Sequence, residues 1–225
     1  MGDNVKGAVA IHLATECSGF INETSRSFLR RHSNSDSLLG QLKALYLKGC
    51  HQACKDLIQL ICEEQHPLCE SADLFVLRSK IALEENQTLK EVNVWLTQAR
   101  LNESSSGELL EMDALVRCQR DLQDGVYEDG TAGLLELFES RHIGFLASFL
   151  LGRHLLWKSQ NVPLSIFYLE GAVQTKPHLK NAWEALGFAY NRDGQREPAQ
   201  AAFAKCIELE TDLEKLSFYR QQLAS

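Results

Sequence analysis

A chain of 225 residues with 44% hydrophobic and 24% charged residues has the mix of a folded globular protein, not of a disordered one. Its formal net charge of −7 and scattered basic residues predict no nucleic-acid partner, because a phosphate-binding surface needs gathered Lys and Arg. No run approaches the roughly 20 apolar residues that span a bilayer, so no membrane insertion is expected.

Residues 1–37 read as an N-terminal helix around Val9 and Leu13 followed by a polar linker, Ser33–Ser37. The soft apolar run Gly7–Ile11 is preceded by Asp3 and interrupted by His12, which does not fit a secretory signal. Seven cysteines in no compact spacing do not form a disulfide framework either, and together these features predict a reduced, cytoplasmic setting. Arg30-Arg31-His32-Ser33 has the form of a basophilic kinase site, which makes Ser33 a candidate for phosphorylation, with a plain polar loop as the alternative.

From residue 38 onwards the apolar spacing is helical. Leu38, Leu39, Leu42, Leu45 and Tyr46 share one face, and after the Gly49 break Ala53, Leu57, Leu60 and Ile61 do the same. Asp73–Glu85 and Leu89–Leu101 make a second pair of helices, parted by Asn86-Gln87-Thr88. Glu108–Leu122 and Ala132–Phe138 make a third, parted by a polar turn from Asp124 to Gly130. The four prolines, Pro67, Pro163, Pro177 and Pro198, all fall between such segments or at the start of one, as proline must where helices are short. No segment alternates long enough to need a strand. The fold class predicted is all-α.

Cys50-His51-x2-Cys54 and Cys62-x3-His66-x2-Cys69 place thiols and imidazoles within 20 residues, but at no common zinc spacing. Cys54, Cys62 and Cys206 lie beside apolar helix positions, so core packing is the favoured reading over metal binding. No nucleophile elbow, phosphate loop, dinucleotide fingerprint or His-Glu-x-x-His motif is present, and no enzyme activity and no cofactor are expected.

Short helices with one apolar stripe bury it only by stacking, and a fixed period is the mark of stacked hairpins. Between Lys180 and Glu210 the chain reads Trp183-x2-Leu186-Gly187-x2-Tyr190, then Ala199-x3-Phe203. Here it resembles the tetratricopeptide repeat family, whose 34-residue pattern has these residue types at these spacings. Gly187 and Ala199 are small where two helices cross, and Gly194 can end the first helix in the left-handed conformation. One period upstream stand Phe149, Gly152, Arg153 and Leu156, then Ser165, Leu169, Ala172 and Pro177. The second half fits the pattern, whereas Arg153 occupies the place of the usual glycine and Gly152 is expected to take over its role. Thr211-x-x-Glu214 has the form of a capping box opening a last helix, with Leu213, Leu216 and Tyr219 available for burial.

The resemblance implies a right-handed α-solenoid of tetratricopeptide-like hairpins with a C-terminal capping helix. The expected organisation is an N-terminal helix and linker over 1–37, degenerate hairpins over 38–142, two recognisable units over 143–210 and the capping helix over 211–225. It also implies a protein partner held in the concave groove that first helices line in this family. The corresponding exposed positions are His154, Trp157, Lys158, Phe188, Asn191 and Arg192, with Asn181 near the start of its helix. The basic clamp with which some family members take chaperone tails is missing, since Leu150, His154 and Ala185 stand in its places. The expected function is a scaffold or subunit of a multiprotein complex, and the competing one is a chaperone or secretion-type carrier that shields a client segment.

Overall fold

The computed structural model describes residues 34–224 apart from 86, 103–106, 141, 160 and 211. The N-terminal helix, Arg30, Arg31, Ser33 and Thr211 lie outside the described residues. Among the described residues the chain is an all-α repeat of helical hairpins with no strand. Two compact units are distinguished, one comprising residues up to Ile81 with Val94–Ser106, the other Ala82–Asn93 with Gly107–Ser225.

In the first unit, α1 (Ser35–Leu47) begins two residues before the end of the expected polar linker. The reason is a cap that periodicity does not reveal. Asn34 accepts from the backbone N–H groups of Asp36 and Ser37 at 2.9 and 3.3 Å, so the polar residues Ser35 to Ser37 form the first helical turn. Leu38, Leu42 and Tyr46 of α1 are buried, as are Leu57, Leu60 and Ile61 of α2 (His51–Glu63). Pro67 opens a short 3-10 turn, Pro67–Glu70, ahead of α3 (Ala72–Glu84), whose residues from Ala82 onwards belong to the second unit. In α4 (Leu89–Asn102) Trp95 stacks on Phe75, with the Arg78 guanidinium 4.3 Å from the Trp95 ring centre.

The second unit carries α5 (Gly107–Asp124) and α6 (Tyr127–Phe138), then α7 (Gly144–His154) and α8 (Val162–Thr175). It closes with α9 (Lys180–Arg192), α10 (Arg196–Leu209) and α11 (Leu213–Ala224). The turn between α5 and α6 is only Gly125-Val126, much shorter than the expected Asp124–Gly130, because Gly125 takes a positive φ of 88° and reverses the chain at once. Consecutive helices pack as hairpins, and the first helices α5, α7 and α9 also touch in series. That alternation is what a stack of helical hairpins requires.

The final hairpin shows why its residues recur. A Cβ on Gly187 would sit 2.8 Å from the Phe203 ring, so the crossing of α9 and α10 admits only glycine at this depth. Gly194 ends α9 with φ of 76°, and the N–H of Gln195 reaches back to the Tyr190 carbonyl. Phe203 is fully buried with Ala199, Cys206 and Tyr219, and Trp183, Tyr190 and Phe188 pack around them.

In the capping helix one expected burial is not met. Asp212 supplies the cap, its carboxylate accepting from the N–H of Glu214 at 2.9 Å. Leu213 is 82% exposed, so Tyr219, at 1%, makes the main buried contact in its place.

Candidate functional site

The hairpin of α7 and α8 crosses one residue away from the usual repeat register, at Gly152 as expected. The glycine that packs under Leu169 is Gly152, whose carbonyl also accepts from the Ser165 hydroxyl at 2.7 Å. One residue is about 100° of helix rotation. The rotation turns Arg153 out of the hairpin crossing. Its half-buried guanidinium lies 5.1 Å from the Phe149 ring centre, and desolvation lowers its pKa.

The helix then widens. Leu155–Ser159 form a π turn, with α7 ending at His154. In a straight α-helix His154, Trp157 and Lys158 would share one face. The wider turn separates them. His154 is buried, which corrects its expected exposure, and packs 5.2 Å from the Tyr127 ring. Burial, helped by the nearby Lys158 charge, lowers its pKa. Trp157 and Lys158 face outwards, Trp157 with 46% of its surface exposed.

Trp157 is held in place from the next hairpin. The Arg192 guanidinium stacks 4.7 Å from its ring centre while donating to the Leu156 carbonyl at 2.7 Å. Phe188 meets it edge-on at 5.7 Å and joins it to the buried Phe203 at 5.4 Å. The half-exposed indole thus contacts both a cation and an aromatic edge.

Two cavities flank the indole. One, of about 330 Å³, is lined by Gln119, Leu122, Leu150, Arg153, His154 and Lys158 together with Gln123 and Trp157. The other, of about 200 Å³, is bounded by Phe149, Arg153, Trp157, Asn181, Glu184 and Phe188. Thus His154, Trp157 and Lys158 converge on the first, and Trp157, Asn181 and Phe188 on the second. Asn181 donates to the Glu84 carbonyl, so its amide already serves the fold. Asn191 is exposed but lines neither cavity. Nothing in the local sequence pattern marks Gln119 and Gln123, which line the first cavity. Arg153 carried a signal, the break in the repeat pattern.

The cysteines behave as packing residues where they are buried. Cys54 and Cys206 are fully buried, and burial with the Glu184 charge pushes Cys206 up to about 12. Cys62 accepts from the Arg78 guanidinium at 3.8 Å, and burial with the neighbouring Cys62 pushes Cys69 up to about 11. Among the described residues no three His, Cys, Asp or Glu side chains converge as a metal site. No described helix is long and apolar enough to cross a membrane.

No protein-family model matches the chain, and no curated protein sequence does either. Among solved structures, a MamA fragment from Desulfovibrio magneticus RS-1 is 23% identical, covering 68% of this chain and 87% of its own, with a TM-score of 0.41. YrrB, described as a tetratricopeptide protein with an unusual peptide-binding site, is 14% identical over 95% of this chain and 99% of its own, with a TM-score of 0.41. Pseudomonas aeruginosa pilF is 14% identical over 87% and 89%, with a TM-score of 0.43. These partial likenesses carry no ligand, partner or activity over to the chain. The stacked hairpins and the Gly187–Phe203 crossing make the chain an all-α helical-repeat protein, whose residue pattern from Trp183 to Phe203 resembles the tetratricopeptide repeat.

Proposed function

We propose that the chain is a non-enzymatic, cytoplasmic interaction scaffold or complex subunit, which holds a segment of another protein against Trp157. The observation that carries this reading is the indole itself, 46% exposed yet clamped between Arg192 and Phe188 and flanked by two cavities. Exposing a large aromatic costs solvation, and holding it rigid removes the entropy that binding would otherwise cost. Trp and Arg are the residues that most often dominate interface energy. In this reading Trp157, Lys158, Phe188 and Arg192 make the contact face, with His154, Asn181 and Asn191 as the remaining site residues.

A native pull-down with quantified stoichiometry tests the reading. One or a few partners at constant ratio are expected, with Trp157→Ala and Arg192→Glu each weakening capture by the ~2 kcal/mol or more typical of interface anchors. Many substoichiometric clients insensitive to both changes would overturn it in favour of a chaperone or carrier.

A further inference from the structure

The cavity beside Trp157 has a chemistry opposite to that of the chain. The protein carries a net charge of −7, yet the residues lining this cavity include Arg153, Lys158 and His154 and no carboxylate. Arg153 reaches it only because the hairpin crossing uses Gly152, so a departure from the repeat pattern has placed a partly desolvated cation there. A second feature is independent of charge. Gln119, 8% exposed, lines the same cavity, and its buried Oε1 has no hydrogen-bond donor. A buried acceptor without a donor is costly, and the terminal amide torsion is soft enough to turn it towards an incoming N–H. Leu122, Leu150 and the Trp157 ring supply the apolar wall.

We propose that this cavity receives an acidic, apolar peptide segment of the partner. An apolar side chain seats against Leu122, Leu150 and Trp157, a carboxylate lies at Arg153 and Lys158, and a peptide N–H donates to Gln119. At about 330 Å³ the cavity is near the lower end of ligand-pocket size, which suits one side chain with its flanking peptide groups and not a folded element. The cations are too few for a nucleic-acid backbone, whose binding grows with the number of phosphates neutralised. The inference rests on the partner-binding reading of Trp157 and adds the chemistry of what binds.

The test is selection of a random dodecapeptide library, displayed on phage, against the full chain. Enriched peptides are expected to pair Asp or Glu with a large apolar residue. Against one such peptide, Lys158→Glu is expected to raise Kd about 3- to 30-fold, the span of reversing one exposed charge, and Arg153→Gln about tenfold or more. Gln119→Leu is expected to weaken the peptide while leaving the unfolding midpoint unchanged or higher, a combination that mere damage to the fold would not give. Enrichment of neutral or basic peptides would overturn the inference, as would acidic peptides indifferent to Lys158→Glu and Arg153→Gln. If no peptide is enriched while the pulled-down partner still depends on Trp157, the inference falls and the proposed function stands. If captured partners ignore Trp157→Ala and Arg192→Glu, the proposed function falls with it.

Discussion

Glu84 and Lys176 form an ion pair inside the second unit with side-chain exposures of 0% and 2%. The Lys176 ammonium lies 2.6 Å from one carboxylate oxygen and within hydrogen-bond reach of the other, and 5.1 Å from the Phe145 ring centre. At that 2.6 Å separation and an effective dielectric of about 20, the attraction is about 6 kcal/mol. Desolvating each ion costs several kcal/mol, so the intact pair sits near balance. Removing one member takes away the main counter-charge of a buried ion. Glu84→Ala and Lys176→Met are each expected to cost about 3–5 kcal/mol. The double variant Glu84→Leu with Lys176→Met is expected to fall within about 1 kcal/mol of the parent, or above it, because both charges of the pair are removed together. Urea unfolding followed by far-UV circular dichroism, with midpoints compared at a common slope, reads these differences. Single variants that each lose under about 1 kcal/mol, or a double variant as unstable as the two losses added, would refute the reasoning.

Two glycines are expected to respond in opposite directions. Gly187→Ala drives a methyl into the Phe203 ring and is expected to cost about 1–3 kcal/mol, whereas Gly40→Ala in α1 meets nothing within 4 Å and should gain about 0.5–1 kcal/mol, both read as changes in thermal midpoint. Burial lowers the His154 pKa below its usual value near 6.5, with the Lys158 charge acting in the same direction. Between the lowered value and about 6.5 the unfolded chain binds a proton that the folded chain does not, so stability falls as pH drops through that window. His154→Gln should flatten that slope in melts at about pH 7.5 and 5.5, and an unchanged slope would remove His154 as its source. Native thiol labelling near pH 8 is expected to leave the fully buried Cys54 and Cys206 unreacted until denaturant is added, and early modification of either would contradict their burial.

The helices and much of the repeat follow from short-range information. A face such as Leu38, Leu42 and Tyr46 is written in a period of 3.6, and Pro67, Pro163 and Pro198 mark helix starts because the missing N–H excludes them from helix interiors. Gly187 and Phe203 could be read together because the repeat spacing says which residues cross. Where the chain leaves that spacing, reading along it places residues less securely. The family resemblance marks Trp157 as a candidate, but whether the indole packs inwards or stands exposed depends on the π turn and on Arg192, 35 positions further on.

The amino-acid sequence by itself determined the all-α class, the hairpin rhythm and the small residues at the last crossing, since each depends on neighbours within a turn or a repeat. Only the tertiary structure decided that His154 turns inwards while Lys158 turns out. Only it brought Glu84 to Lys176 across 92 positions and Gln119 to the cavity beside Trp157. Those outcomes rest on which surfaces meet when hairpins stack, and a one-residue shift at a single crossing rotates every side chain beyond it by about 100°.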